Sequence, residues 1–275
     1  MAIEVHLYDD PSVALARAGK FLASRPVHRN LVLTLLHGRI ARPEPGRYWV
    51  AHDGDRGVGV GFQSPLDFFV TTTPMTDEAT DALVARIAAD GIAPPGVQAE
   101  AATAARFTGQ WTEATGSAAR PDQGLRIYQL IDLEPPVGVS GSLRVTTAAD
   151  RAVVHEMIAA FHRDTGERSV LDPAVHDERI DAGVYSLWDD DGPRALVGRT
   201  ETIAGMSRVQ AVFTPPEWRR RGYAGAAVAA VSERIRAEGA DAMLFTDLGN
   251  PTSNSVYRRI GYRAVAENLR YRFTG

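Results

Sequence analysis

The sequence predicts an α/β protein built from two similar halves. Three observations predict it. Helical stripes of apolar residues alternate with short β-like runs along the whole chain. The stretch Glu134-Pro135-Pro136-Val137-Gly138-Val139-Ser140-Gly141 divides it near the middle, since paired prolines and spaced glycines deny a helix and weaken a strand. Finally, 275 residues suit two domains of ordinary size. The expected division is 1–134, a linker at 135–141, and 142–275.

The second half is the more legible. Val153, Val154, Met157, Ile158 and Phe161 form a helical stripe between Asp150 and His162, and Pro173 opens a second short helix. Tyr185-Ser186-Leu187-Trp188 alternates as a strand, Asp190-Asp191-Gly192-Pro193 turns, and strands around Ala195–Thr202 and Arg208–Phe213 complete a meander. After Thr214-Pro215-Pro216-Glu217 comes a helix with Ala224, Val228, Val231 and Ile235 on one face, stopped near Gly239. Met243-Leu244-Phe245-Thr246 reads as a buried strand. A short helix near Ser253–Ile260 and a last strand through Tyr271-Arg272-Phe273 complete the half.

The first half is a worn copy. A helix carries Leu31 to Leu36; Tyr48-Trp49-Val50-Ala51 and Val58-Gly59-Val60 flank the turn Asp53-Gly54-Asp55; Asp67 to Thr72 reads as a strand. Thr73-Pro74 then leads into a helix with Leu83, Val84 and Ile87 inward. Thr73-Pro74 and Thr214-Pro215 lie at nearly the same offset as Tyr48 and Tyr185, which suggests an internal duplication.

Composition removes several chemistries. Cysteine is absent, so disulfides, thiolate metal sites and a cysteinyl acyl-enzyme are out. Lys20 is the one lysine, and no Ser or Thr comes after it as a P-loop requires. A net charge of −4 argues against a nucleic-acid or anionic-membrane partner. With no basic leader and no run of 18 apolar residues, the expectation is a soluble, cytoplasmic protein. His155-Glu156 and His162 miss the His-Glu-x-x-His spacing, and Asp189-Asp190-Asp191 reads as turn chemistry, so no metal is expected.

The chemistry concentrates where Arg219-Arg220-Arg221-Gly222-Tyr223-Ala224 joins a strand to a helix. A helix start offers unpaired N–H groups and a partial positive charge, so three arginines beside it are unfavourable unless an anion lies between them. A phosphate fits; a solvated arginine-rich loop is the competing reading. The segment Asp247-Leu248-Gly249-Asn250-Pro251-Thr252-Ser253-Asn254-Ser255-Val256-Tyr257 comes one helix and one strand later, and leads to Gly261-Tyr262.

Taken in this order, the two segments resemble the GCN5-related N-acetyltransferases (GNAT). Arg219, Gly222 and Ala224 fit the family's Gln/Arg-x-x-Gly-x-Gly/Ala signature; Asn250, Asn254, Tyr257, Gly261 and Tyr262 fit its later Asn-rich segment and Gly-Phe/Tyr pair. The resemblance covers about Leu143 to Phe273. It implies two GNAT-like domains, each a mixed, mostly antiparallel sheet flanked by helices, and a tandem layout. It further implies that Ala211, Val212, Phe213 and Thr214 on a splayed strand bind the pantetheine arm of acetyl-CoA. The loop Arg219, Arg220, Arg221, Gly222, Tyr223, Ala224 would hold the pyrophosphate, and Asn250, Ser253 and Asn254 would contact the cofactor. Tyr257 would donate a proton to the departing thiolate; core packing is its alternative. The first half has Met75-Thr76-Asp77-Glu78 where the arginine loop should be, so it is expected to lack the cofactor site.

The activity implied is direct acetyl transfer from the thioester to a primary amine of a small molecule or peptide. The competing function is a non-catalytic acyl-CoA-binding or protein-interaction module on the same fold. Candidate bases are Glu201, placed on the third strand of the second half, and Asp247, which could instead accept N–H bonds in its own turn. From Asp164 to Asp181 six acids (Asp164, Glu167, Asp172, Asp177, Glu178, Asp181) stand against Arg168 and Arg179, which suggests a cationic acceptor such as a polyamine, aminoglycoside or peptide amine. A solvated loop explains the same charges. The sequence leaves the oligomeric state open.

Overall fold

The computed structural model describes residues 2–166 and 172–274. Its elements, in chain order, are β1 (Glu4–Tyr8), α1 (Pro11–Ser24), α2 (Pro26–Ala41), β2 (Arg47–Asp53), β3 (Arg56–Gln63), β4 (Val70–Thr72), α3 (Asp77–Ala89), β5 (Gly96–Glu100), α4 (Ala101–Thr115) and β6 (Ala118–Leu130). Next come β7 (Ser142–Val145), α5 (Arg151–Thr165), α6 (Pro173–Asp181), β8 (Tyr185–Asp189), β9 (Pro193–Arg199), β10 (Met206–Phe213), α7 (Tyr223–Ala237), β11 (Asp241–Asp247), α8 (Pro251–Arg259) and β12 (Tyr262–Thr274). The chain forms two compact units. One comprises Met1–Ile127, Asp247–Gly249 and Val265–Gly275; the other comprises Tyr128–Thr246 and Asn250–Ala264.

Each unit repeats one topology. In the first, strand order is β1-β2-β3-β4-β5-β12; β1 to β4 pair antiparallel, β4 and β5 pair parallel, and β12 closes antiparallel on β5. In the second, the order β7-β8-β9-β10-β11 again runs antiparallel until β10 meets β11 in parallel. The parallel step needs a crossover, and α3 and α7 supply it. Both units are therefore mixed, mostly antiparallel sheets with helices, as the sequence predicts.

Apolar stripes explain which faces are inside. Most of α7 is buried: Ala226, Ala227, Val228, Val231 and Ile235 pack on Val197, Val209 and Leu244. On α5, Val154, Met157 and Ile158 pack with Leu187, Leu196 and Phe213. In the first unit, Leu83, Val84 and Ile87 of α3 meet Trp49, Val97, Phe107 and Trp111. Burying each such side chain contributes about 1.5–3 kcal/mol.

Two strand expectations need correcting. The strand drawn to Thr202 ends at Arg199, and Glu201 is exposed in the turn between β9 and β10. Left-handed residues at Ala204 and Gly205 reverse the chain there, and Thr200 bonds back to Arg208. The strand drawn from Asp67 shortens to Val70–Thr72, because Phe68 is held in a turn by Pro65. The sequence pattern does not anticipate strands β1, β5, β6 and β7 or helices α1 and α4.

The start of the second unit is fixed by a charged staple. Arg144 on β7 donates to both Asp150 oxygens at 2.8 and 2.9 Å and to Asp189 of β8 at 2.9 Å. Asp150 also takes the Thr147 N–H at 2.8 Å, forming a capping box ahead of α5. The Arg144 hydrogen bond holds the Asp150 carboxyl down at about 2. Because the folded state lowers this value below the usual 3.9, the stabilisation is present above about pH 4 and is lost as pH falls toward 2. Asp150→Ala is expected to cost roughly 1–3 kcal/mol at neutral pH. Urea denaturation at pH 7 and pH 2.5 should show the gap to the unsubstituted protein narrowing at the lower pH.

Candidate active site

The site starts from a parallel strand pair that separates. Cross-strand pairs join β10 and β11 from Met206↔Asp241 to Val209↔Leu244, while both strands run on past them. The cause lies in β10. Its register on β9 shifts between Gln210 and Phe213, and Ala211 sits at φ +50°. Such a bulge bends the strand and re-aims the residues beyond it. Ala211, Val212, Phe213 and Thr214 thus lie past the last pair with β11. Phe213 is buried against the α5 side, and the Thr214 hydroxyl is buried without a hydrogen-bond partner among the described residues.

A short 3-10 turn, Pro216–Trp218, carries the chain to Arg219, and α7 begins at Tyr223. Gly222 precedes the helix at φ +88°, and a Cβ there would lie 2.9 Å from Val139 Cγ2. Glycine satisfies both restrictions at once. Arg220 holds φ +64°, a conformation that costs a non-glycine residue about 1–3 kcal/mol.

The three loop arginines differ. Arg219 is engaged within the protein: Nε donates to the Thr214 carbonyl at 2.9 Å, and its guanidinium meets Asp164 of α5 at 2.5 Å. Arg220 and Arg221 are exposed, and neither has a carboxylate within 4 Å among the described residues. Tyr223 points its hydroxyl to Asp190 at 2.6 Å, and Ser140 donates to the same oxygen at 2.7 Å. These two hydrogen bonds hold the Asp190 carboxyl below its usual range.

Helix α8 carries the second segment. Asn250 caps it, its side chain accepting from the Ser253 N–H at 3.0 Å. Asn254 is buried; it accepts from the Tyr128 hydroxyl at 3.0 Å and donates to the Asn250 carbonyl at 2.7 Å. Tyr257 is 8% exposed, with the Tyr128 and Tyr262 rings 6.3 and 6.2 Å away. Burial pushes its phenol up to about 12. Gly261, at φ +98°, lies so close to the Asp132 carbonyl that no side chain fits.

Other candidates are dispersed. Glu201 lies beyond the Met206 end of β10, seven residues or roughly 20 Å of strand from Phe213. Asp247 ends β11 and accepts the Gly249 N–H at 2.6 Å, the turn role that its place in the sequence also allows. The acidic helix region is largely compensated. Asp164 pairs with Arg219, Asp177 with Arg151 and His155, and Asp181 with Arg151; Asp172 caps α6. Glu167 and Arg168 lie outside the described residues. The Asp189 carboxylate accepts from Gly192 N–H in its own turn. Sequence reading missed Asp164 as the partner of Arg219, Tyr128 as the partner of Asn254, and Trp218 beside the arginines. Only the last left a local signal, an aromatic residue inside a basic run.

The first unit handles its equivalent helix start differently. Thr76 caps α3, accepting from Ala79 N–H, and Asp77 and Glu78 occupy the first turn. The Glu78 carboxyl is held below its usual range by its own backbone N–H and the Thr76 hydroxyl. Thr73, just past β4, bonds back to Val60 through both its N–H and its hydroxyl.

Known proteins share this architecture. A family model described as FR47-like protein matches residues 186–271. The fold matches a GCN5-related N-acetyltransferase from Sphaerobacter thermophilus at 17% identity, TM-score 0.66, covering 98% of this chain and 95% of that one. It also matches a GNAT-family acetyltransferase from Colwellia psychrerythraea at 9% identity, TM-score 0.65, covering 98% and 100%. A tandem GNAT protein from the clavulanic acid biosynthesis pathway matches at 12% identity, TM-score 0.57, covering 99% and 98%. No curated protein matches in sequence. The chain has the fold of these GCN5-related N-acetyltransferases, with one topology repeated in its two units, and the FR47-like match lies in its second half. No helix among the described residues is long and apolar enough to cross a membrane.

Gly222→Ala tests the loop without a ligand. Forcing a Cβ into φ +88° against Val139 should lower stability by about 1–2 kcal/mol, measurable as a lower urea midpoint. Gly239→Ala, at φ +79° with open space around it, should show only the conformational part of that loss.

Proposed function

We propose that the chain is an acetyl-CoA-dependent N-acetyltransferase acting on a primary amine of a small molecule or peptide. In this reading residues 142–275 supply the catalytic groups and 1–134 are a copy without a cofactor loop; the stretch 135–141, expected as a linker, falls within the second compact unit, and 265–275 fall within the first. The observation that carries it is the separation of β10 from β11 directly before an arginine loop and an uncapped helix start. Backbone polar groups after Val209 are available to an extended amide-bearing arm, and the buried Thr214 hydroxyl has capacity for a hydrogen bond. The first N–H groups of α7, with Arg220 and Arg221 beside them, suit a pyrophosphate. Arg219 shapes the loop through Thr214 and Asp164, and the Tyr223 side chain is turned away to Asp190.

Acetyl-CoA, when bound, supplies an activated acyl thioester. The chain's own groups then hold that arm, accept the amine and manage one proton at sulfur. Tyr257 is the donor in this reading. Its value of about 12 is far above a thiol near 8.5, so it helps by a hydrogen bond that strengthens as sulfur gains charge, without full transfer. Of the two proposed bases, Asp247 at the end of β11 is preferred over Glu201, which lies at the far end of β10. With Asp164 paired to Arg219, and Asp177 and Asp181 sharing Arg151, the acidic region lends no support to a specifically cationic acceptor.

Tyr257→Phe keeps the ring packing and should lower kcat by roughly 10²–10⁴-fold with little change in acetyl-CoA affinity. The unsubstituted enzyme should show no rate loss from Tyr257 deprotonation until pH approaches 12, because burial keeps the phenol protonated. Wild-type turnover in the Phe variant would make Tyr257 a packing residue. Calorimetric titration with acetyl-CoA should give one site per chain, since Asp77 and Glu78 occupy the first unit's helix start; two equivalent sites would contradict this.

A further inference from the structure

We propose that Arg194, Trp218 and Arg221 form a clamp for a phosphate monoester dianion, the 3′-phosphate at the nucleotide end of the acyl-CoA. The inference rests on the acyl-CoA reading above but adds Arg194 and Trp218, which lie outside the arginine loop, and gives Arg221 of that loop a second contact. Trp218 ends the 3-10 turn before the loop and is partly buried against the α7 core. The Arg194 guanidinium, from β9, lies 3.8 Å from the centre of its ring, and that of Arg221 lies 4.8 Å from it. One indole thus gathers two cations from different elements, and neither has a carboxylate within 4 Å among the described residues.

Arg194 is fixed without losing its charge. Its Nε and terminal nitrogen donate to the Asp190 and Asp191 carbonyls at 2.8 and 2.6 Å, both neutral acceptors. The carboxylate that senses both guanidiniums is Asp190, and its Oδ2 already accepts from Tyr223 and Ser140. Two like charges held on one ring repel each other, and a dianion between them turns that repulsion into attraction. In a chain of net charge −4, such a pairing is a local feature. Arg221 stands two residues before the first residue of α7, so the clamp adjoins the helix start suited to a pyrophosphate. In coenzyme A the 3′-phosphate is one ribose from the pyrophosphate, which matches that adjacency.

The test compares titrations of CoA, 3′-dephospho-CoA and inorganic phosphate against the unsubstituted protein, Arg194→Gln, Arg221→Gln and the double variant. CoA should bind the unsubstituted protein at least about tenfold more tightly than 3′-dephospho-CoA, as expected for charge-assisted hydrogen bonds. Arg194→Gln should lose most of that preference through weaker CoA binding, with dephospho-CoA affinity changed less than about twofold, whereas Arg221→Gln, which also faces the pyrophosphate, should weaken both ligands and CoA the more. The unchanged dephospho-CoA affinity of Arg194→Gln also shows that this variant folds. Inorganic phosphate should bind weakly and lose affinity in the same variants. A preference that survives in the double variant, or no preference in the unsubstituted protein, overturns the clamp while leaving the acyl-CoA reading intact. Failure of CoA and dephospho-CoA alike to bind the unsubstituted protein overturns both.

Discussion

Everything in the candidate site depends on the interruption of one parallel ladder. Had β10 stayed in register, its edge at Ala211 to Thr214 would have been closed by β11, and the chain would enter α7 with no free backbone. The bulge at Ala211 prevents this. It places a non-glycine residue at φ +50°, strain that the flanking core holds in place through Val209 on one face and Phe213 on the other. Open backbone, arginine loop and helix start are then consecutive in sequence. The site is one strand, one loop and one helix turn, positioned by packing on both sides of β10.

The comparison of the two units isolates what such a site requires. Topology is the same in both, down to the parallel step after three antiparallel pairings. The helix starts differ. Before α7 the cap is Gly222, which offers no side-chain acceptor, and arginines precede it; before α3 the cap is Thr76, with two acids directly after it. A cap with an acceptor and negative first-turn residues satisfies the helix dipole internally. The α7 start does not do so. The topology is the same, and a few residues at one helix end separate a start with no side-chain acceptor from one that is capped.

Much of this is legible in the sequence because periodicity and glycine placement are local. The stripe of Val228, Val231 and Ile235, the loop ending in Gly222 and the turn at Gly261 each carry their cause within a few residues. The features that escape a sequence reading depend on long-range pairing. The strand β5 hides in a short run whose burial comes from neighbours far away in sequence. Glu201 reads as part of a strand because its neighbours are β-compatible, but the left-handed turn at Ala204 and Gly205 ends the pairing earlier. The acidic run from Asp164 to Asp181 suggests a charged face, whereas Arg151 and Arg219 reach it from elsewhere and neutralise much of it.

The asparagines of α8 show how a motif can act through structure. A buried amide must have its hydrogen bonds met or it costs stability. Asn254 meets them with Tyr128 on one side and the Asn250 carbonyl on the other, while the Asn250 side chain caps the same helix. The side chains singled out as ligand contacts are therefore engaged in fixing a nine-residue helix, too short to be stable alone. That helix carries Tyr257, and Tyr262 just beyond it is anchored by its hydroxyl to Ser232 of α7 at 2.7 Å. Asparagine at 250 and 254 thus holds the helix that carries Tyr257, because a polar network fixes a helix's rotation as apolar packing alone does not.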